Sequence, residues 1–191
     1  MKRLMIVASF LLFAGMLSAQ ENTVMAPQEQ QESIEWLNWD QAVERMKSDP
    51  RKIMVDVYTD WCGWCKRMDA TTMKDPGVVK IINEKYYAVK MDGERKEDIT
   101  FRGRTYKFVA QGRRGYHELP AELMSGKMSY PTLVFLDEEF AIIQPLPGYQ
   151  QAIMLEQVLA YFGGGHYKST PFDDFRATYP RQAAPSPRPA Q

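Results

Sequence analysis

The two cysteines of the chain stand three positions apart, at Cys62 and Cys65, and the segment around them reads Trp-Cys-Gly-Trp-Cys-Lys. They follow an apolar run from Ile53 to Tyr58, which predicts a buried strand, and they precede a stretch from Lys66 to Met73 that is predicted to be helical. A Cys-x-x-Cys pair between a strand and a helix is typical of a thiol–disulfide redox site.

The short spacing of the cysteines favours this chemistry. Two intervening residues let the sulfurs meet at the first turn of a helix, where unpaired N–H groups and the helix dipole favour a thiolate on Cys62. Such a sulfur is both a nucleophile and a good leaving group near neutral pH. Cys65, one turn further in, is predicted to be more buried and to resolve a mixed disulfide.

Two other uses of a cysteine pair are less favoured. A structural disulfide stabilises mainly by closing a long loop, and a two-residue loop constrains little. A zinc site needs two further ligands, but the two histidines of the chain, His117 and His166, are far apart and form no His-x-x-x-His group. A redox pair is therefore favoured over both, and it is expected to need no metal or organic cofactor.

A carboxylate, Asp56, lies in the predicted strand six residues before Cys62. It could lie on a solvated strand face or near the strand end. Alternatively it is a buried base, with a pKa raised by desolvation, that moves protons to and from the buried cysteine. The second interpretation is favoured because aspartate is seldom buried without a role.

The N-terminus and the composition indicate an exported soluble protein. Residues 1–19 have the layout of a signal peptide, with Lys2 and Arg3 before an apolar run. An uncleaved anchor is the alternative, although the run is short for a membrane span. The 24 basic and 24 acidic residues form no long run of one sign, so no nucleic-acid partner is expected. The mature protein is predicted to be periplasmic or extracellular, where an idle dithiol is oxidised.

The rest of the chain divides into a leader, one domain and a tail. Residues 20–33 are predicted to be a flexible leader, 34–163 the domain, 164–180 a C-terminal extension and 181–191 a disordered Pro/Ala-rich tail. Within the domain, the sequence predicts a capping box of Asn38 with Gln41 at the start of a helix, and a hairpin over 99–108 about Gly103. It also predicts a helix at Tyr116–Met124, a return strand at Phe140–Ile143 and a loop at Pro145–Gly148.

Residues 93–115 form a basic insert, and positions 94–114 contain seven basic and three acidic residues. One interpretation is a solvated surface excursion, which is the commoner meaning of such a charge excess. The other is a basic surface near the active site that selects an acidic face of a partner. Both interpretations stay open at the level of sequence.

Two segments, "VDVYTDWCGWCK" and "SYPTLVFLD", together with the order of elements over residues 34–163, resemble the thioredoxin family. The first segment has the family's acid six residues before the first cysteine, and the second is similar to the segment that holds its cis-proline. The resemblance is greatest to the C-terminal periplasmic domain of DsbD-type thiol:disulfide reductases and to free-standing exported relatives. It implies an α/β thioredoxin-like fold, with a central mixed sheet flanked by helices, an insert before the cis-proline and a short C-terminal helical extension.

The resemblance also implies roles for individual residues. Cys62 would attack, Cys65 would resolve, Asp56 would be the buried base and Pro131 the cis-proline beside the disulfide. The residues expected to contact substrate are Trp61, Gly63, Trp64, Tyr130 and Pro131. The dipeptide Gly63-Trp64 replaces the Gly-Pro of thioredoxin, so the redox potential does not follow from the family.

The predicted function is an exported thiol–disulfide oxidoreductase that acts on client proteins with disulfides, and the DsbD-like motif favours the reducing direction. Its electrons would come from a thiol donor, either membrane-embedded or soluble. A monomer is expected because no dimerisation segment is visible. The alternatives are a disulfide oxidase or isomerase, and a redox-inert thioredoxin-like binding module.

Overall fold

The computed structural model describes residues 32–179. The predicted signal peptide, nearly all of the predicted leader and the predicted disordered tail lie outside the described residues. Within residues 32–179, none of the helices combines the length and the apolar character needed to cross a membrane.

The elements follow one another as strands and helices in alternation, interrupted by two small hairpins. In chain order they are β1 (Trp36–Leu37), α1 (Trp39–Met46), β2 (Lys52–Tyr58), α2 (Gly63–Ala70), α3 (Pro76–Lys85), β3 (Tyr86–Asp92), β4 (Ile99–Phe101), β5 (Arg104–Tyr106), β6 (Phe108–Gln111), β7 (Arg114–His117), α4 (Glu118–Leu123), β8 (Thr132–Leu136), β9 (Ile142–Pro147), α5 (Ala152–Gly163) and α6 (Phe172–Thr178). Short 3-10 turns occur at Thr72–Lys74 and His166–Lys168.

A five-stranded mixed sheet of order β1-β3-β2-β8-β9 organises the domain. Its central strand, β2, pairs in parallel with β3 and antiparallel with β8. Because both faces of β2 are covered, the strand is a continuous apolar run rather than an alternating one. One core packs α1, α4 and the first hairpin on one face of the sheet, and a second core packs α2, α3 and α5 on the other. The predicted α/β class, with a mixed sheet flanked by helices, is confirmed.

The predicted capping box at the start of α1 is present. The Asn38 side chain accepts a hydrogen bond from the Gln41 backbone N–H at 2.9 Å, and the Gln41 side chain accepts one from the Asn38 N–H at 2.9 Å. Trp39, Ala42 and Met46 then fall on the buried face of this helix. The local sequence therefore specifies both where α1 begins and which face enters the core.

The basic insert contains two hairpins where the sequence predicted one. The predicted turn about Gly103 joins β4 to β5, and Gly103 has a φ of 78°. The second hairpin pairs β6 with β7, and its register places Tyr116 opposite Val109 and His117 opposite Phe108. The predicted helix at Tyr116–Met124 was therefore wrong at its start, because its first two residues belong to a strand and α4 begins at Glu118.

The return strand was also misplaced in the prediction. Strand β9 spans Ile142–Pro147, so the predicted loop at Pro145–Gly148 is mostly strand. The Asp137 side chain accepts hydrogen bonds from the backbone N–H groups of Glu139 and Ala141. These bonds hold residues 137–141 in a turn, so β9 begins at Ile142 rather than at the predicted Phe140. Strand β9 lies at the edge of the sheet, where prolines that lack an N–H are tolerated.

Candidate active site

Helix α2 begins at the cysteine motif itself. Cys62 occupies the N-cap, and its sulfur accepts a hydrogen bond from the Cys65 backbone N–H at 3.1 Å. The helix therefore starts three residues before the predicted Lys66, because the cysteine serves as its cap. The same N–H group and the helix dipole would stabilise negative charge on the Cys62 sulfur after reduction.

The two cysteines form a disulfide, with their Cα atoms 5.3 Å apart. Both are buried, but the residue exposure is 5% for Cys62 and 2% for Cys65. The order of exposure agrees with a first cysteine that meets a client and a second that acts from inside. Within residues 32–179, no group of three or more His, Cys, Asp or Glu side chains is placed to hold a metal ion. The expectation that the site works without a cofactor stays a prediction.

Asp56 is fully buried in the central strand β2. It lies at the middle of β2, and the register of the sheet places Lys90 of β3 directly opposite. The Lys90 ammonium lies 2.6 Å from Oδ2 of Asp56, while Oδ1 has no hydrogen-bond partner in the described part of the chain. Burial raises the pKa of Asp56, and the attraction of Lys90 opposes the rise without cancelling it. The carboxylate is thus not on a solvated strand face, and its role as a base stays a prediction.

Lys90 joins Asp56 to the cysteine helix. Its ammonium also lies 2.5 Å from Asp69 on α2, and it lies over the rings of Trp36 and Tyr58 at 5.0 and 5.1 Å. Burial lowers the pKa of Lys90, but the charges and hydrogen bonds of Asp56 and Asp69 outweigh burial and raise it. The result is a carboxylate–ammonium–carboxylate bridge between the sheet and α2.

Lys90 and Asp69 are not among the residues that the sequence predicted for the site. A signal for Lys90 exists, because it is a lysine inside the apolar run of β3 at a position flanked by buried residues. Lysine is rarely placed in such a strand without a carboxylate partner. Asp69 carried no comparable signal, since an aspartate on a partly exposed helix face is ordinary.

The predicted cis-proline segment lies on the same surface as the cysteine motif. The Tyr130–Pro131 peptide bond is cis, as the resemblance implied, and the Gly148 N–H donates to the Pro131 carbonyl at 2.8 Å. The ring of Tyr130 packs edge-on against Trp61, with centroids 5.8 Å apart. Across the same proline loop, Tyr149 packs against Trp64 with centroids 5.6 Å apart. Long-range packing thereby brings the neighbours of Pro131 and Gly148 into contact with the two tryptophans of the cysteine motif.

Of the residues predicted to contact substrate, Trp61 and Trp64 form an exposed aromatic rim, Tyr130 is half-buried and Pro131 is buried. Trp61 is 50% exposed and Trp64 is 56% exposed, although large apolar side chains are usually buried. Gly63 between them is open, since a Cβ there would meet no atom within 4 Å. Burial, with the charges of Glu94 and Asp92, raises the pKa of Tyr130 to about 12, so its hydroxyl is neutral at physiological pH. Large exposed aromatic side chains beside a reactive group are typical of a protein-binding surface.

One tip of the basic insert reaches this rim. The guanidinium carbon of Arg114, in β7, lies 4.0 Å from the centroid of the Trp61 ring. The insert is therefore not merely a solvated excursion away from the site. Selection of partners by its charge stays a prediction.

Comparison with known proteins places the chain among thioredoxin-like proteins. The family described as "Thioredox_DsbH: Protein of unknown function, DUF255" matches residues 16–143. Thioredoxin-1 of Drosophila melanogaster is 31% identical over 72 residues, which cover 35% of this chain and 64% of that protein. An uncharacterized protein of Caenorhabditis elegans is 26% identical over 98 residues, which cover 51% of this chain and 13% of that protein.

A solved thioredoxin-fold protein from Helicobacter pylori has the same fold. It superposes with a TM-score of 0.51 at 20% identity, covering 67% of this chain and 78% of that one. The chain thus has the thioredoxin fold, with a Cys-x-x-Cys disulfide, Cys62–Cys65, at the start of α2. The matched part spans only 13% of the C. elegans protein and 64% of the Drosophila one, so their other parts bear nothing on this chain.

Proposed function

We propose, from the premise that this chain belongs to the thioredoxin-like DsbH family (DUF255), that it is an exported reductase of disulfides in client proteins. The observation that carries the proposal is the Cys62–Cys65 disulfide at the start of α2, on the same surface as the cis-proline Pro131. The DsbD-like motif supports the reducing direction. The signal-peptide pattern of residues 1–19 supports export to the periplasm or the extracellular space.

The reaction begins with the reduced dithiol. The Cys62 thiolate attacks one sulfur of the client disulfide, the client S–S bond breaks, and the second client sulfur leaves as a thiolate that takes up a proton. Cys65 loses its proton and attacks the Cys62 sulfur, which releases the first client sulfur. Two electrons pass to the client, and the products are a client dithiol and the Cys62–Cys65 disulfide.

The bridge between the sheet and α2 supports the second step. Asp56 has a raised pKa and, in the described part of the chain, one oxygen without a hydrogen-bond partner, so it would accept the Cys65 proton as the thiolate forms. Lys90 would hold the carboxylate in place and compensate its charge. A thiol donor, membrane-embedded or soluble, returns the electrons, and the protein acts as a monomer without metal or organic cofactor.

Trapping of clients tests the proposal. In a Cys65→Ser variant the mixed disulfide on Cys62 has no resolving thiol, so we expect covalent complexes on a non-reducing gel, with clients identified by mass spectrometry. The matched Cys62→Ser variant, which keeps Cys65, should capture far less because Cys65 is more buried. Equal capture by the two variants, or none by either, would contradict the assignment of the attacking thiol.

The redox potential decides the direction. Equilibration of the Cys62–Cys65 pair with glutathione should give a value near that of thioredoxin, about −270 mV, for a reductase. A value near about −120 mV would instead indicate an oxidase.

A further inference from the structure

An aromatic cluster capped by an arginine flanks the disulfide on the side of Trp61. This Trp61 cluster consists of Trp61, Tyr130 and Arg114, with the guanidinium carbon 4.0 Å from the Trp61 ring centroid. The β6–β7 hairpin holds Arg114 there, and it depends on Gly115, where a Cβ would lie 2.3 Å from the Val109 carbonyl oxygen. The basic insert is thus folded so that one of its arginines covers an exposed active-site tryptophan.

A second cluster of the same composition flanks the disulfide on the side of Trp64. This Trp64 cluster consists of Trp64, Tyr149 and Arg67, and the Arg67 guanidinium carbon lies 5.4 Å from the Trp64 ring and 5.8 Å from the Tyr149 ring. Trp64 and Arg67 are three residues apart on α2, so they share one face of the helix. The Tyr149 hydroxyl is held by Thr71 at 3.1 Å.

In the described part of the chain, the arginines of both clusters lack carboxylate partners. Neither Arg67 nor Arg114 forms an ion pair among residues 32–179. The arginines that do form one there are Arg45, Arg51, Arg95, Arg104 and Arg176. A guanidinium stacked on a ring still presents N–H donors at its edges, in a fork that fits a carboxylate. The exposed Asp60, next to Trp61, carries a negative charge that offsets the positive charge of Arg114. A client carboxylate would therefore be selected there by the N–H donors of the Arg114 guanidinium rather than by a net positive charge.

We propose that the two clusters together recognise an extended client segment that carries a carboxylate on each side of its reactive cysteine. The proposal rests on the proposed thiol–disulfide exchange at Cys62. The client cysteine would lie at the disulfide, its neighbours would stack on Trp61 and Trp64, and the flanking carboxylates would bind Arg114 and Arg67. Tryptophan, tyrosine and arginine are the residues that carry most binding energy at protein interfaces, and here all three types occur on both sides of one reactive bond.

Matched peptides test the proposal with the full chain in its reduced form. Each peptide carries one cysteine as a mixed disulfide with a coloured aromatic thiol, and the flanking residues are aspartate, asparagine or lysine. Attack of Cys62 on the peptide sulfur releases the coloured thiolate, and Cys65 then releases the peptide thiol. At low ionic strength we expect the aspartate peptide to react about fivefold faster than the asparagine peptide, and the lysine peptide to react slowest. The preference should shrink at ~0.5 M salt.

Variants assign the preference to the two arginines. Arg114→Gln and Arg67→Gln should each lower the ratio of aspartate to asparagine rates, and the double variant should bring it to about one. Arg104→Gln is the matched control, since Arg104 also stacks on a ring of the insert, Tyr106 at 4.3 Å, but is paired with Glu122. This control should keep the wild-type ratio.

Two failures are distinguishable. If the wild-type protein reduces all three peptides at equal rates, or if the double variant keeps the full preference, the recognition proposal is overturned while the exchange reaction stands. If no peptide is reduced, the proposed function itself fails.

Discussion

At the scale of single residues, Asp56 is a carboxylate that is expensive to bury. It has no exposed surface, and among residues 32–179 only one of its oxygens is paired, with Lys90. An ionised carboxylate in such a place loses its hydration, so the neutral form is favoured. The Lys90 bridge to Asp69 links this buried carboxylate to α2, the helix that begins at the cysteine motif, and we propose that a proton exchanged by Cys65 is the reason the cost is kept.

The pH dependence of stability should report this cost. The pKa of Asp56 is raised in the folded protein, so the folded state keeps a proton that the unfolded chain releases at about pH 3.9. Unfolding then releases a proton, and the free energy of unfolding falls as pH rises from about 3.9 through the raised pKa. Asp56→Asn should lack this fall. The stability of the variant relative to wild type should therefore grow by about 1.4 kcal/mol for each pH unit between those two pKa values.

Urea unfolding of both proteins at closely spaced pH values between about 4 and 9 measures the difference, since this range begins near the unfolded pKa of aspartate. A constant difference over this range would mean that the folded protein does not raise the pKa of Asp56, because a lowered pKa would change stability only below about pH 3.9.

At the scale of elements, the start of the basic insert is tied to the cis-proline loop through a glycine. The Gly93 N–H donates to the Tyr58 carbonyl at the end of β2, and its carbonyl accepts from the His117 N–H before α4, each at 2.8 Å. A Cβ at Gly93 would lie 2.5 Å from the Tyr130 hydroxyl oxygen and 2.6 Å from Cε1. The absence of a side chain therefore lets Tyr130 lie where it meets Trp61.

A double-mutant cycle tests this contact. Gly93→Ala should cost about 1–3 kcal/mol of unfolding free energy, because the half-buried Tyr130 ring has to be displaced from its contact with Trp61. In a Tyr130→Ala background the same change should cost much less, which gives a coupling energy of about 1 kcal/mol or more in denaturant unfolding. Gly63→Ala is the control, since a Cβ there meets nothing within 4 Å, and it should stay within about 0.5 kcal/mol. Additive costs would show that Gly93 and Tyr130 do not interact.

At the scale of the whole molecule, the C-terminal extension packs on α5, the last helix of the domain. Phe175 of α6 is buried, and its ring lies 5.3 Å from that of Tyr161 in α5 and 4.7 Å from that of His166. The Tyr161 hydroxyl donates to the Thr170 carbonyl at 2.6 Å. None of these contacts involves a residue of the cysteine motif, so the extension is placed to act on stability rather than on the chemistry.

Truncation of one ring measures the contribution of the extension. Phe175→Ala should lower the free energy of unfolding by about 3 kcal/mol, because the change removes a buried aromatic side chain and leaves a cavity. Arg176→Ala, its exposed neighbour, should change stability by no more than about 0.5 kcal/mol. Rates of thiol–disulfide exchange should not change in either variant. A loss below about 0.5 kcal/mol for Phe175→Ala, the range of an ordinary surface change, would show that α6 does not stabilise the domain.

Sequence alone was informative wherever the determining interactions are local. The spacing of Cys62 and Cys65 predicted that their sulfurs meet, the Asn38–Gln41 pair predicted the start of α1, and the apolar run of β2 predicted a central strand. Each of these depends on residues within a few positions of one another, where caps, spacing and periodicity act directly. The cis bond before Pro131 was predicted by the family resemblance alone.

Tertiary structure alone decided what surrounds the disulfide. Lys90 meets Asp56 because of the parallel register of β2 and β3, and Asp69 joins them from a helix packed above. Arg114 meets Trp61 because a hairpin that carries no strong local signal folds back over the site. Strand register and the packing of distant segments depend on burial of the whole core rather than on neighbours in the chain, so the cysteine motif could be recognised from sequence but its electrostatic and aromatic surroundings could not.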